Sequence, residues 1–286
     1  MVVYVDGTSL RYRTWNGLVW STPGSLAASS GTRHLRLAAH PSSDEMVVVV
    51  SNSSSQDSAL VWDGDAWSSR IALDSAGTGN DRTDISVAYE HQSGTALVVF
   101  GKGTDDVYYR SWNGSWSAEA LLPGISGGYA RWTTLGADTS SDRIALGVLT
   151  NDADVWLAIW DGTSWTDQVT ATTTSTGVTE PAVAVAFESL SGDAMAVYGR
   201  TGGTTPRYRT WTSGTGWAGE LSAPDIGAQS NSIMLYPSAV DDGLMAAVQD
   251  DTSGVHWIPW NGSAWGPEHE LETDSGETKN QPFLFL

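Results

Sequence analysis

Three arginines and one glutamate are the residues whose type and position point most directly to chemistry. They recur at or just before the start of a short apolar segment that repeats along the chain: Arg33, Arg82, Arg131 and Glu180. Arginine binds anions through paired N–H donors, and a carboxylate accepts hydrogen bonds from hydroxyl groups. If the fold gathers them at the mouth of a channel, they predict a site for an anionic or sugar ligand. The alternative is that they bond the ends of neighbouring strands.

Acidic residues form a second candidate site, for a metal ion. Ca²⁺ prefers carboxylate oxygens, and two short segments supply them: Asp152 with Asp154, and Asp250 with Asp251. The sequence contains no complete Asp-x-Asp-x-Asp-Gly loop, so the alternative is that these are solvated turn residues. The five histidines lack metal-binding spacing, and the absence of cysteine excludes thiolate sites and disulfides. Calcium is the one cofactor that the sequence leaves open.

A basic and aromatic pattern occurs three times, at residues 11–15, 108–112 and 207–211. Side chains alternate between the two faces of an extended strand. In the first copy, both arginines and the tryptophan therefore share one face, and the tyrosine takes the other. Arginine stacked on tryptophan would be a packing contact between sheets. The functional alternative is a shallow carbohydrate site between sheets, lined by tyrosine and tryptophan.

The overall charge limits the choice of partner. The 286-residue chain has a net charge of −19 and only two lysines, Lys102 and Lys279. Such a surface repels nucleic acid phosphates and anionic lipids, so no nucleic acid partner is predicted. The sequence also lacks the apolar run of about 18 residues that membrane insertion needs. The charge favours cations, basic partners or neutral ligands, and it is typical of soluble proteins in an extracellular or salty medium.

A motif of two tryptophans around a turn dominates the sequence. It reads Trp-Asn/Asp-Gly-x-x-Trp in most copies, and its first tryptophans are 47, 50, 48, 51 and 49 residues apart. Asn-Gly and Asp-Gly suit the tight turns between antiparallel strands, so each copy predicts a hairpin with its tryptophans on adjacent strands. We interpret the motif as structural; the alternative is a set of sugar-stacking platforms. The copies are Trp15, Asn16, Gly17 and Trp20; Trp62, Asp63, Gly64 and Trp67; Trp112, Asn113, Gly114 and Trp116; Trp160, Asp161, Gly162 and Trp165; Trp211 and Trp217 around a longer turn; and Trp260, Asn261, Gly262 and Trp265.

Each motif belongs to a larger unit of four strands. Two short apolar strands and a third strand lead into the turn, and a fourth follows it. Units of this kind at a step of about 40–50 residues are typical of propeller blades. The predicted fold class is all-β: one domain, residues 1–286, forming a six-bladed β-propeller closed by a C-terminal strand that joins three N-terminal strands. The predicted blades are 281–286 plus 1–27, 28–76, 77–125, 126–175, 176–225 and 226–275.

The repeat resembles those of secreted bacterial and archaeal propellers and, in architecture only, the Asp-box propellers of the sialidase type. In an Asp-box, an acidic residue and a glycine lie in the turn before a tryptophan, as at residues 63–67 and 161–165. The resemblance implies a propeller whose turns are structural. A sialidase-type active site would need an arginine triad, a tyrosine–glutamate nucleophile pair and an acid/base aspartate, and the family's Arg-Ile-Pro signature is missing from this sequence.

These observations favour a non-catalytic extracellular or cell-surface module that binds a glycan or a protein, or that acts as a scaffold. One alternative is a structural subunit that forms oligomers or fibres by exchanging its C-terminal strand with a neighbour. The other is a sialidase-like glycoside hydrolase, which the evenness of the repeats disfavours. Three Asn-x-Ser sequons, at Asn52, Asn113 and Asn261, are candidate glycosylation sites.

Overall fold

The computed structural model describes residues 1–27, 31–54, 56–74, 83–102, 104–125, 127–176 and 179–274. The regular secondary structure of these residues consists of 24 β-strands. They contain no helix long and apolar enough to cross a membrane. Neighbouring strands pair antiparallel and form six successive sheets. The chain is a six-bladed β-propeller, which confirms the fold predicted from the repeat.

The strands take equivalent places in successive blades. The innermost strands are β4 (Thr32–Ala39), β8 (Ile85–Tyr89), β12 (Ala130–Ala137), β16 (Val183–Phe187) and β21 (Ser230–Pro237). The second strands are β1 (Val2–Asp6), β5 (Met46–Asn52), β9 (Ala96–Gly101), β13 (Ile144–Thr150), β17 (Ala194–Tyr198) and β22 (Leu244–Asp250). The third strands are β2 (Ser9–Arg13), β6 (Asp57–Trp62), β10 (Val107–Trp112), β14 (Val155–Trp160), β18 (Arg207–Thr212) and β23 (Val255–Trp260). The outer strands are β3 (Gly24–Ser25), β7 (Ile71–Asp74), β11 (Ala120–Leu121), β15 (Trp165–Thr172), β19 (Gly216–Trp217) with β20 (Leu221–Ser222), and β24 (His269–Glu272).

Blade one, formed by β1–β3, has three strands among the described residues, whereas each later blade has an innermost strand as well. The predicted closing strand, residues 281–286, lies outside the described residues. Ring closure by that segment therefore stays a prediction, and so do the blade limits.

The second strand of a blade is apolar along its length because both of its faces are buried. In β5, the four consecutive valines Val47, Val48, Val49 and Val50 are each 0% exposed. A strand buried on both faces loses the apolar–polar alternation of a half-buried strand. Burial of one valine side chain stabilises the fold by about 1.5–3 kcal/mol. Burial of these strands therefore contributes a large part of the favourable free energy of folding.

The hydrophobic cores lie between blades. The described residues contain five clusters of buried side chains, and each cluster joins one blade to the next. Between blades four and five, for example, Leu149 and Ile159 belong to the same cluster as Phe187 and Tyr198. Each blade is therefore stabilised mainly by its two neighbours, as expected for a repeat that cannot bury its faces alone.

Two kinds of blade alternate around the ring. In blades two, four and six, the innermost strand has eight residues and a register shift near its start. In blades three and five it has five residues in continuous register. The basic–aromatic pattern occurs in the third strands of blades one, three and five. The structural repeat is thus a pair of blades.

Four of the Asn/Asp-Gly turns, those of Asn16, Asp63, Asp161 and Asn261, close through one side-chain oxygen atom. Oδ1 of Asp161 accepts hydrogen bonds from the backbone N–H groups two and three residues ahead, both at 2.8 Å. Oδ1 of Asn261 does the same at 3.0 and 2.9 Å. Aspartate and asparagine both carry this oxygen, which explains why they interchange between copies. In all six copies the two tryptophans pair directly across the hairpin.

Candidate functional site

The residues predicted to line a channel mouth differ in exposure. Arg33 is exposed at the start of β4, and Arg131 is half-buried beside the register shift in β12. Glu180 is 6% exposed, so little of its side chain is open to a ligand. Each of these three residues makes at least one bond, ring contact or electrostatic interaction, and their place at a channel mouth stays a prediction. Arg82 lies outside the described residues.

The aspartates predicted as calcium ligands lie at or just after the ends of β13 and β22. Within the described ranges, no group of three or more His, Asp or Glu side chains is placed to hold a metal ion. Asp152 and Asp251 are exposed, and burial together with the charge of Asp152 raises the pKa of Asp154. The prediction of a solvated turn residue is wrong for Asp250, which is 3% exposed. Its Oδ1 accepts two backbone N–H groups of its own turn, at 2.8 and 2.7 Å.

The three sequons lie in different surroundings. Asn113 and Asn261 are exposed in turns between third and outer strands. Asn52 is 5% exposed, and its Oδ1 accepts the backbone N–H groups of Ser54 and Gln56, both at 2.9 Å. A glycan would have to displace this packed side chain, so Asn52 does not fit the role of a glycosylation acceptor in the folded protein.

One face of the basic–aromatic strand faces the boundary between its own blade and the preceding blade. We call this boundary the cleft of the blade. In blade five, Nε1 of Trp211 donates a hydrogen bond to Asp167 of blade four at 2.7 Å. On the same face, the guanidinium of Arg209 donates to the carbonyl oxygen of Ala171, also in blade four, at 3.3 Å. Arg209 and Trp211 therefore face the cleft between blades four and five, and Trp112 packs in the cluster shared by blades two and three.

The tyrosine of the pattern turns to the opposite face and packs on the following blade. The ring centroid of Tyr208 lies 5.9 Å from that of Trp260 and 5.6 Å from that of Trp265. Nε1 of Trp260 in turn donates to the buried Glu188 of blade five at 2.7 Å. Equivalent ring trios are Tyr12 with Trp62 and Trp67, and Tyr109 with Trp160 and Trp165. These trios couple an odd-numbered blade to the next blade as packing contacts.

Blade five carries a polar cluster at its cleft, formed by Tyr198, Arg200, Arg209 and Glu220. The Glu220 carboxylate accepts a hydrogen bond from the Tyr198 hydroxyl at 3.0 Å and pairs with Arg200 at 2.7 Å. Burial raises the pKa of Tyr198, and the Glu220 charge adds to that rise, so the hydroxyl stays protonated and donates. Arg209 and Glu220 are half-buried. Both can therefore meet a ligand that enters the cleft.

Blade three has a related cluster, formed by Lys102, Tyr108, Arg110 and Glu119, although Phe100 stands where blade five has Tyr198. The Glu119 carboxylate bonds to the Lys102 ammonium group, and Arg110 lies 3.8 Å from its second oxygen. Nζ of Lys102 also lies 4.5 Å from the centre of the Tyr108 ring. All four side chains are half-buried. A carboxylate paired with a cation thus occurs at equivalent places in two blades.

Sequence reasoning missed the two glutamates, although a signal was present. Glu119 and Glu220 each lie three residues after the second tryptophan of their blade. Blade six has Glu268 at the same place, but there its carboxylate bonds to His256 at 2.7 Å. Blade one has Pro23 instead. A comparison of the six units position by position would have singled out this glutamate.

Comparison with solved structures finds lectins with the same architecture. The chain matches the BP39L lectin from Burkholderia pseudomallei with a TM-score of 0.69 and 12% identity, over 93% of this chain and 78% of that one. It matches a point variant of Aleuria aurantia lectin, in complex with alpha-methyl-L-fucoside, with a TM-score of 0.52 and 16% identity over 93% and 88% of the two chains. SapL1 lectin, in complex with alpha methyl fucoside, gives 0.51 and 16% over 93% and 89%.

Comparison with protein families finds no match, and comparison with curated proteins finds none. Another structure of the Aleuria aurantia lectin is described as a six-bladed β-propeller with a novel mode of fucose recognition. Identities of 12% and 16% are evidence about architecture. This chain therefore shares the six-bladed β-propeller fold of the Aleuria aurantia lectin.

Proposed function

We propose that this protein is a non-catalytic carbohydrate-binding module of the lectin type, with sugar sites in the clefts before blades three and five. The observation that carries the proposal is a repeated pair of side chains. An arginine lies two residues before the first tryptophan and a glutamate three residues after the second, as Arg110 with Glu119 and Arg209 with Glu220. The other four blades lack one member or both. Because those blades fold without the complete pair, the pair serves something other than the blade itself.

The chemistry of the pair suits a sugar. A guanidinium donates two directed hydrogen bonds and a carboxylate accepts several, so together they can hold neighbouring hydroxyl groups. Trp116 and Trp217 precede the two glutamates by three residues and are half-buried, which leaves part of each indole for apolar contact. Ion pairs with Lys102 and Arg200 fix the carboxylates in position, so little freedom is lost on binding.

The solved neighbours support a glycan as the ligand class, because two of them contain a bound fucoside. α-Methyl-L-fucoside is therefore the first probe to use, followed by an array of other glycans. We place the protein outside the cell or on its surface, where glycans are displayed. The net charge of −19 suits a soluble protein that binds a neutral ligand.

The test is titration calorimetry with the glycan that the array identifies. The unaltered protein is expected to bind two ligands per chain, and Glu220→Gln to bind one. The double variant Glu119→Gln/Glu220→Gln is expected to weaken binding at both clefts by tenfold or more, about 1.4 kcal/mol each, because a charged acceptor is lost. Glu270→Gln, which changes an exposed glutamate in β24, is the matched control and is expected to bind like the unaltered protein.

Three outcomes would contradict the proposal. Silence across the whole array would remove the glycan as ligand. Binding that the double variant leaves intact would move the site out of the two clefts. Release of a free sugar during incubation would show turnover and would favour the glycoside hydrolase alternative.

A further inference from the structure

The propeller axis contains a cavity that the proposed sugar sites do not use. Its volume is about 320 Å³, and it is lined by innermost strands of blades two to six. Of the described residues in its wall, Arg36 alone carries a charge. Most of the others are apolar, among them Val87, Val185 and Leu235. A single guanidinium among neutral lining residues is an arrangement that calls for a partner of opposite charge.

Arg36 is an exception within the repeat. It pairs with Val49 in the middle of blade two. The residues at the same level of the other described innermost strands are Ser86, Thr134, Ala184 and Met234. Blade three places a small hydroxyl residue there, and blade five an alanine. The fold of the blade therefore does not require an arginine at this level, and its side chain lines the axial cavity.

The guanidinium of Arg36 has little compensation from the protein. Among the described residues, its hydrogen-bond acceptor is the carbonyl oxygen of Leu35, the preceding residue, at 3.2 Å. Burial lowers the pKa of Arg36, but an arginine side chain stays charged at neutral pH. The guanidinium has five N–H donors, and one backbone carbonyl oxygen can accept only some of them. A desolvated and unpaired charge is costly, and pairing it with an anion recovers much of that cost.

Thr134 and Ser86, which lie at the same level as Arg36, also line the cavity. The methyl group of Thr134 points towards Gly147 and lies 3.0 Å from the position that a Cβ atom on Gly147 would take. The hydroxyl of Ser86 is already engaged, because it donates to the carbonyl oxygen of Thr133 at 2.8 Å. Nearer the strand starts, the rings of His34 and Trp132 approach within 6.4 Å between their centroids. These rings narrow the channel, so the cavity suits a small ligand.

From these observations we infer a second ligand site: the axial cavity binds a small oxyanion, a carboxylate or an inorganic phosphate, through the guanidinium of Arg36. The anion accepts the N–H donors of Arg36 that the described residues leave free, and the valine and leucine side chains surround the remainder of a carboxylate ligand. Because the whole chain carries a net charge of −19, its field opposes anions of high charge. The site therefore favours singly charged acetate or propionate over phosphate.

The experiment measures thermal unfolding and calorimetric binding with sodium acetate, propionate and phosphate, at constant pH, chloride concentration and ionic strength. Arg36→Met removes the charge at similar length, and Arg36→Lys keeps a charge without the paired donors. Arg70→Met is the matched control, because Arg70 is an exposed arginine beside the outer strand of the same blade. The unaltered protein and Arg70→Met are expected to bind and to gain thermal stability. Arg36→Met is expected to bind at least tenfold more weakly, and Arg36→Lys to fall between.

The comparison of acetate with phosphate shows which class of oxyanion the site binds. Dependence on Arg36 for carboxylates, for phosphate or for both supports the site and identifies its ligand. Equal stabilisation of the unaltered protein and Arg36→Met would show a general salt effect and overturn the inference. The absence of any shift in the unaltered protein would overturn it too. If Arg36→Met does not fold, the comparison of Arg36→Lys with Arg70→Met decides in the same way, and glycan binding serves as the check that each variant is folded.

Discussion

His256 shows how one position changes its chemistry from blade to blade. It lies four residues before the first tryptophan of blade six, where blade five has Arg207. Its ring is 3% exposed and lies between Asp250 at 3.0 Å and Glu268 at 2.7 Å. Burial by itself would lower the pKa of His256, but the hydrogen bonds to Glu268 and Asp250 outweigh it and hold the pKa above its ordinary value.

The raised pKa of His256 predicts that the folded state becomes more stable as the pH is lowered from 8 to 6. A histidine whose pKa is higher in the folded protein contributes stability fully below its unfolded pKa, about 6.5. That contribution is lost as the pH rises through the folded pKa. The apparent Tm of the unaltered protein is thus expected to fall between pH 6 and pH 8, and His256→Gln is expected to flatten that dependence. Thermal unfolding at a series of pH values measures it.

The control for this prediction is His269→Gln. His269 is exposed and stacks on Trp257 with 4.5 Å between ring centroids. Because all carboxylates also respond to pH, only the difference between the two variants is diagnostic. If His269→Gln and His256→Gln show the same slope, the buried histidine does not cause the effect.

At the scale of the element, the hairpin turn and the strand ends explain where sequence patterns succeed and fail. The turn is local: one Oδ1 atom and one glycine determine its shape. The strand end is not local. β5 and β22 each run two residues beyond the apolar segments that define them in the sequence, to Asn52 and Asp250. Both polar residues are buried because they pair with the starts of β4 and β21.

The turn predicts a difference between two glycines. Gly162 has φ = 95°, and a Cβ there would lie 3.1 Å from that of Asp142. Gly162→Ala is therefore expected to lower the free energy of unfolding by about 1–2 kcal/mol, because left-handed backbone disfavours a side chain. Denaturant unfolding measures the change.

Gly219→Ala is the matched substitution. No atom lies within 4 Å of the position its Cβ would take, and its φ is outside the left-handed region. Its effect is expected to stay within about 0.5 kcal/mol. Equal losses in the two variants would mean that the backbone conformation at Gly162 is not what requires glycine.

At the scale of the whole molecule, the alternation of blades sets the number of sugar sites that we propose. Complete arginine–glutamate pairs occur in blades three and five. The odd-numbered blade one has the arginine, Arg13, but has Pro23 at the position of the glutamate. Each cleft is formed by side chains of two blades, so the ring must hold the blades in fixed register. A propeller with cores between blades provides that rigidity.

Ring closure gives a prediction at this scale. If residues 281–286 form the innermost strand of blade one, their removal exposes the inner edge of that blade and loses several buried apolar side chains. The truncated chain is then expected to unfold on the order of 10 °C lower. Differential scanning calorimetry measures this loss, and light scattering measures the mass.

Lys279→Ala, just upstream of the segment, is the control and is expected to keep the Tm. A truncated chain that unfolds at the same temperature would mean that the segment is not part of the ring. A dimeric mass or a Tm that rises with protein concentration would favour strand exchange between molecules.

The sequence by itself determined the number of blades, the strand order and the turns. Each depends on local chemistry or on period: asparagine or aspartate before glycine closes a turn, and a continuous apolar run belongs to a strand buried on both faces. Only the tertiary structure decided that Glu220 contacts Tyr198, that Glu268 contacts His256 and that Arg36 lines the axial cavity. Those contacts depend on strand register and on the distance between blades, and single-strand patterns contain neither quantity.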